Sequence, residues 1–482
     1  VKKKMKHENR IPILKMLREY KENMPLPFHM PGHILGRGLL EEFRAIGGFD
    51  ITEVPGSDCL HAPDGVIKDA QEEASRCFGA DFSFFLVNGS TSGIQAMIQA
   101  VLEPGGKLII GRDSHVSVLN TLSQLNGEPV FLMPEIDKKT QIPLSITPSM
   151  LEDACRANPD AQGILITRPN YYGIAKNLDE IVEIANKFKM PLLVDEAHGA
   201  HFIFHEAFPS PCMGSGVDLC VQSLHKTLPS LTQTAILHGR NNGRVDKSIV
   251  TTTASMVQTT SPSYLLMCSI DIARYIMQTR GRDLYSELKL LVFDFDKKLE
   301  ELSCIKRVAQ DFQGYDSDFT RIVLSFKDTE LSGSNAEEFL RTRYGIVAEM
   351  ADLYHVVLIV TPFHTTKDFD KLLLALKDID KKYGKVSKAG DQNSEGPVNY
   401  PGIPEKALPL RRAMFSKHEE IPIYKSQGSI SAGYITPYPP GIPVVCPGEI
   451  INDSVVSYIS ALLKENHPVH GVKNGGVKVV EI

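Results

Sequence analysis

The stretch Pro191-Leu-Leu-Val-Asp-Glu-Ala-His-Gly199, followed by Leu219-Cys-Val-Gln-Ser-Leu-His-Lys-Thr227, decides how this chain is read. Each half is a short apolar run that stops at polar residues, Asp195 in the first and Ser223 to Lys226 in the second. Ligands of open α/β sheets collect at the carboxyl ends of strands, which is where these residues fall. An acid at one strand end and a lysine in a Ser-x-His-Lys turn at another are what a pyridoxal phosphate site needs. The lysine forms a Schiff base, and the carboxylate keeps the pyridine nitrogen protonated so that the ring can accept electrons. On this reading Lys226 is a covalent anchor and Asp195 the partner of the ring nitrogen.

Outward from that stretch, helical patterns alternate with short apolar strands from about residue 66 to 240. The pattern predicts helices at 66–78, 94–102, 116–125 and 178–189. Strands are expected at 82–87, 107–110, 129–133, 163–167, 191–194 and 219–222. Such alternation implies an α/β fold with a mostly parallel sheet covered on both faces. A short amphipathic helix, 12–21, precedes the proline-, glycine- and histidine-rich segment Pro25–His33, which cannot be regular helix. A long helical stretch, 262–302, opens a smaller α+β part with a strand at 321–326 and helices at 336–344 and 368–383. Residues 384–396 have linker composition. The expected organisation is an N-terminal arm (1–45), a large cofactor-binding domain (46–262), a small α+β domain (263–383), the linker, and a C-terminal domain (397–482).

Asn88-Gly-Ser-Thr-Ser-Gly93 lies between a strand and a helix. Its small residues leave backbone N–H groups open at a positive helix end, and Ser90, Thr91 and Ser92 add hydroxyl donors. This makes an anion cradle, although the same residues are ordinary helix caps. It is no Walker A loop, because G-x-x-x-x-G-K-[ST] occurs nowhere in the chain. Without that loop the nucleotide phosphates have no seat, so Asp195-Glu-Ala-His198 does not read as a helicase DEAH box. His198, His201 and His205 lie in no H-E-x-x-H helix, and no metal site is expected. His115, in Arg112-Asp-Ser-His-Val116, reads either as a histidine near a helix start or as a flat ring able to cover a pyridine face. In chain order the elements run phosphate cradle, stacking residue, acid, lysine.

The bulk composition narrows the class. The 482 residues are 42% hydrophobic and 23% charged, as in a globular protein with room for roughly two to four domains. A net charge of −6 argues against a general nucleic-acid binder. Eight scattered cysteines with no C-x-x-C pair fit a reducing cytoplasm. No stretch reaches the about 18 apolar residues of a membrane span, and no signal peptide is visible.

Ser223-Leu-His-Lys226 with Leu231-Thr-Gln-Thr-Ala235 resembles the cofactor-attachment signature of the ornithine/lysine/arginine decarboxylases of aspartate-aminotransferase fold. The resemblance extends to Phe28–His33, Leu60–Pro63, Asn88–Gly93, Asp195–Gly199 and Tyr438–Glu449, and so covers nearly the whole chain. The short form looks most like the Gram-positive biosynthetic arginine decarboxylases. It implies fold type I and pyridoxal 5'-phosphate as cofactor. The implied reaction is decarboxylation of a basic amino acid, arginine before lysine or ornithine, in polyamine synthesis.

The resemblance also implies roles. Lys226 anchors the cofactor, Asp195 pairs with the ring nitrogen, and His115 stacks on the ring. Ser90, Thr91, Ser92, Ser223 and His225 hold the phosphate, His198 lies near the cofactor face, and Lys226 or His225 returns a proton to Cα. The segment at Thr260 resembles one that reaches a neighbouring subunit's phosphate, implying a homodimer with shared sites, and Glu449 resembles a residue lining the substrate channel. Two departures stand out: Ile34 where a lysine usually follows Pro-Gly-His, and Pro229 where a small residue is common. The alternatives are another fold-type-I enzyme, an aminotransferase or lyase, and a catalytically silent regulator of the same fold.

Overall fold

The strands expected in the first half of the chain form in the computed structural model, which describes residues 10–23, 26–308, 312–384, 400–438, 441–464 and 467–481. They are β1 (Phe82–Leu86), β2 (Lys107–Gly111), β3 (Glu128–Leu132), β4 (Ala161–Thr167), β6 (Leu192–Asp195) and β7 (Leu219–Ser223). Two further strands in this half, β5 (Ile174–Lys176) and β8 (Ala235–Gly239), and the helix Lys247–Met256 are additions to the expected set. The chain divides into two compact units: Val1–Leu102, Gln162–Arg168 and Leu178–Leu284; and Glu103–Ala161, Pro169–Asn177 and Tyr285–Ile482.

In the first unit the strands run in the order β1-β8-β7-β6-β4. β4 pairs with β6, and β6 with β7, in parallel, with Thr167 opposite Asp195 and Asp195 opposite Val221. β8 lies antiparallel between β1 and β7. All residues of β6, β7 and β8 are buried, as expected of strands covered on both faces. The antiparallel strand has a simple cause: the chain turns back after Lys226, and Ser223 pairs with Ala235. Lys226 therefore sits in the connection between β7 and β8, on the short helix Leu224–Thr227.

The helix over the cradle starts at Gly89 rather than at the expected Ile94 and runs to Val101. Ser90, Thr91 and Ser92 thus belong to its first turn, where N–H groups have no acceptor within the helix. This helix lies so close to the sheet that a Cβ at Gly93 would stand 2.4 Å from Val221 Cγ2 and 2.7 Å from Leu86 Cδ1. Glycine is needed here for approach rather than for conformational freedom.

In the second unit β2 and β3 pair in parallel. A separate antiparallel sheet has the order β12 (Met350–Ala351), β13 (His355–Ile359), β11 (Arg321–Ser325), β9 (Lys306–Arg307), and β5 pairs with β10 (Tyr315–Ser317). The expected small-domain helices form as Gly333–Tyr344 and Thr366–Tyr383, the latter opened by a Thr365/Asp368 capping box. The long helix forms as Tyr264–Leu299. Near the C-terminus His418–Pro422 pairs with Gly476–Val480 over an apolar cluster that includes Ile435, Val445, Val455 and Ile459. The expected linker 384–396 lies, Gly384 apart, outside the described residues.

Replacing Gly93 by alanine tests the close approach. Helix propensity alone would favour alanine by about 1 kcal/mol, but the clash with β7 forces strand and helix apart. The expected outcome is a net loss of about 1–3 kcal/mol in urea unfolding.

Candidate active site

The site in the first unit is built from strand ends. Asp195 closes β6 and is 3% exposed. One carboxylate oxygen accepts the Ala197 N–H at 3.1 Å, and the other makes no hydrogen bond among the described residues. The backbone around it is tied on both sides: Arg168 N donates to Asp195 O, and Glu196 N to Val221 O. On the next strand end, Lys226 Nζ lies 3.1 Å from His198 Nε2. An ammonium only donates, so with Lys226 charged this contact places the histidine's lone pair on Nε2. His225 Nδ1 stands 3.0 Å from the Thr234 carbonyl, which accepts only, so Nδ1 carries the proton.

The cradle meets the lysine turn directly. Ser223 Oγ donates to Ser90 Oγ at 2.8 Å. Ser92 Oγ turns inward to the Gly89 carbonyl at 2.7 Å, so what Ser92 offers an anion is its main-chain N–H rather than its hydroxyl. Asn88, at the N-cap, makes no side-chain cap bond, and Thr91 is exposed. The segment carrying Thr260 is tied to the same strand end, since Gln258 Oε1 accepts the Val87 N–H at 2.8 Å and Thr259 N donates to Asn88 Oδ1. Thr260 itself is exposed.

These residues fit pyridoxal phosphate. An open helix start with paired serine hydroxyls suits its phosphate. A buried carboxylate with one unused oxygen suits a protonated ring nitrogen, and an amine beside a histidine suits its aldehyde.

Beneath Asp195 lies a cluster that sequence reasoning missed. Glu196 is fully buried. Its carboxylate takes Gln222 Nε2 at 2.6 Å, Cys212 Sγ at 2.8 Å, Cys212 N at 3.2 Å, Arg168 Nη1 at 3.3 Å and Cys220 Sγ at 3.6 Å. Burial pushes the Glu196 carboxyl up, while Arg168 and the hydrogen-bond donors pull it back. Burial also raises both thiols, which stay protonated and donate to Glu196. The ligand atoms of Glu196, Cys212 and Cys220 lie within 4.8 Å of one another, and here the thiols serve as hydrogen-bond donors to the carboxylate. Gln222 continues the network to His238, 3.3 Å away, which contacts Ser83 Oγ at 2.7 Å. The signal in the sequence was the alternation of side chains along a strand: if Asp195 faces the ligand, Glu196 faces the core.

Of the other histidines, His201 packs edge-on to Phe208 and His205 Nδ1 accepts the Ala207 N–H. Both are part of a local fold around the 3₁₀ turn Phe202–Phe204.

His115 and Glu449 belong to the second unit. His115 is exposed and caps the helix Val116–Gln124, its Nδ1 accepting the Ser117 N–H at 3.2 Å. Both readings of this residue thus remain compatible: it is a cap, with its ring open to solvent. Glu449 is 3% exposed, and both its oxygens are taken by Arg112 Nη1 and Nη2 at 2.6 and 2.7 Å, with Cys446 N adding a third bond. Arg112 is also bonded to Pro443 O and lies over the Phe131 ring at 4.4 Å. A fork-shaped guanidinium matches a carboxylate with two bonds, so the Glu449 charge is met within the protein.

Known proteins place this arrangement. The family model described as "Orn/Lys/Arg decarboxylase, major domain" matches residues 11–314, and its C-terminal domain counterpart matches 403–476. An arginine decarboxylase of Bacillus subtilis is 37% identical over 98% of both chains. One of Halalkalibacterium halodurans is 38% identical over 99% of this chain and 98% of its own. Among solved structures, the Francisella novicida lysine decarboxylase LdcF superposes with a TM-score of 0.84 at 20% identity, covering 98% of this chain and 81% of that one. The Escherichia coli constitutive lysine decarboxylase gives 0.82, also at 20% identity, covering 98% and 82%.

Two outcomes follow from the buried groups. Arg112→Met strands the Glu449 carboxylate and should lower stability by about 3–5 kcal/mol in urea unfolding. Burial depresses His238 to about 3, below its ordinary range, so it is neutral in the fold and titrates only on unfolding. The unfolded chain then binds the extra proton between the unfolded value near 6.5 and the folded one. Stability is full above about 6.5 and is lost at up to about 1.4 kcal/mol per pH unit below it. Urea midpoints from pH 7 to 4 should show this slope, and it should be shallower in His238→Gln.

Proposed function

The chain belongs to the Orn/Lys/Arg decarboxylase family, and from that premise we propose that it is a pyridoxal phosphate-dependent decarboxylase of a basic amino acid, with arginine favoured. The structural observation that carries the reading is the Ser223–Ser90 bond, which joins the anion cradle to the lysine turn. The full-length identity to arginine decarboxylases supports arginine over lysine and ornithine.

When bound, the cofactor supplies an electron sink for the pair left on Cα as carbon dioxide departs. The chain's own residues do the rest. Lys226 would hold the cofactor covalently through its Nζ. Asp195, with its one unused oxygen, keeps the ring nitrogen protonated, and the surrounding strand bonds stop it from drifting. Ser90, Ser223, His225 and the first-turn amides of Ser90–Ser92 hold the phosphate, with Thr91 at the rim. His115 is assigned to the ring face. His198 Nε2 exchanges a proton with Lys226 Nζ over their 3.1 Å contact, which readies the lysine to protonate Cα.

The functional form is a homodimer in which Thr260 serves the neighbouring site. Support comes from the arm, where Leu26, Phe28, Met30, Leu40 and Phe43 are between 63% and 94% exposed. Apolar surface of that extent is ordinarily covered by another chain. The cytoplasm is the proposed location, in keeping with eight cysteines and no disulfide among the described residues. Among the described residues no helix is long and apolar enough to cross a membrane.

Purified protein should release carbon dioxide from arginine faster than from lysine or ornithine. Lys226→Ala should abolish both the visible absorption of the lysine-bound cofactor and turnover. His198→Asn should keep the absorption but lower kcat by about 10²-fold, with a smaller change in KM. Keto-acid accumulation in place of carbon dioxide would overturn the reading.

A further inference from the structure

The second unit contains a partly open cavity of about 80 Å³. A single water needs about 10–15 Å³ by the same kind of measure, so this cavity can take a small organic group. Its walls are drawn from the loop Ile136–Pro143, from Tyr172, from the turn before β13, and from the C-terminal part of the chain. Four tyrosines line it: Tyr172, Tyr354, Tyr400 and Tyr458. Tyr400 and Tyr458 pack edge to face with ring centres 5.4 Å apart.

Its charge is one-sided. Among the described residues Asp352 is the lining carboxylate, and no lysine or arginine lines the cavity. Burial alone would raise Asp352, but His355 and the Tyr172 hydroxyl outweigh it and hold the carboxyl below its ordinary range, so it is ionised. His355 Nδ1 lies 3.0 Å from both Asp352 oxygens. An ionised carboxylate only accepts, so Nδ1 carries a proton, and in the tautomer this fixes the ring's lone pair lies on Nε2. That Nε2 is buried without a hydrogen-bond partner among the described residues, and His355 is 1% exposed.

A buried lone pair without a donor costs about 1–3 kcal/mol. The group that would relieve it is an N–H donor. Aromatic faces attract cations and the carboxylate adds a negative field, so the donor best matched to this cavity is a charged one. We infer that the cavity is a binding site for a small organic cation, an alkylammonium or alkylguanidinium, with His355 Nε2 accepting from it and the tyrosine rings enclosing it.

This inference does not depend on the proposed reaction, because binding can be read without turnover. Equilibrium dialysis of the full-length, cofactor-loaded protein would use agmatine and cadaverine as probes and pentane-1,5-diol as the uncharged control. Both amines should bind, and the diol should not. Binding should survive Lys226→Ala, which removes the anchor in the first unit. It should weaken at least tenfold in His355→Gln and in Tyr458→Leu. His355 is bonded to Asp352 and its replacement could unfold the chain, so thermal midpoints are recorded and Tyr458→Leu, a half-buried position, decides if they fall. The chain has no tryptophan, so tyrosine emission gives an independent reading of amine binding. Equal binding of diol and cadaverine overturns the inference, as does amine binding that vanishes in Lys226→Ala but persists in Tyr458→Leu. Absence of amine binding to the wild-type chain overturns it too.

Discussion

The carboxylate of Glu196, closed off from water and met by Gln222, Arg168 and the two thiols, is the interaction on which the strand-end site depends. Neighbouring residues on a strand face opposite ways, so anchoring Glu196 on the core side fixes Asp195 on the other. A buried carboxylate that lost one of these donors would pay a penalty of several kcal/mol, which makes the cluster stiff. Gln222 belongs to the same cluster and directly precedes Ser223. One buried group thereby sets the ends of both strands that carry the chemistry.

The rest of the first unit serves that placement. β8 returns antiparallel beside β7 and confines Lys226 to a short connection. Its His238 ties the Glu196 network to Ser83 on β1. Gly93 lets the helix Gly89–Val101 settle onto Val221 and Leu86, and its first turn then meets Ser223 through Ser90. Packing of a helix and pairing of strands thus combine to bring serine, lysine and carboxylate to one end of the sheet.

Much of this was legible in the sequence, because apolar runs ending in polar residues announce buried strands and the groups at their ends. Asp195, Lys226 and the cradle were read that way. The helix start at Gly89 was not, since Ser and Thr in a first turn look the same as Ser and Thr in a loop. β8 was missed because the short apolar run Ala235 to Leu237 after a turn carries no direction. The Glu196 cluster was hidden because its partners, Arg168, Cys212, Cys220 and Gln222, converge from separate segments with no common spacing. The Glu449–Arg112 pair was hidden for the same reason: the two lie 337 residues apart, and only the fold brings them together.

The central claim is that Lys226 is the covalent anchor of the cofactor. Borohydride reduction of the cofactor-loaded protein makes that bond permanent, and proteolysis with mass spectrometry then locates it. The account predicts a phosphopyridoxyl group on the peptide containing Lys226. A label on a different lysine, or no labelled lysine in protein that binds the cofactor, would contradict it.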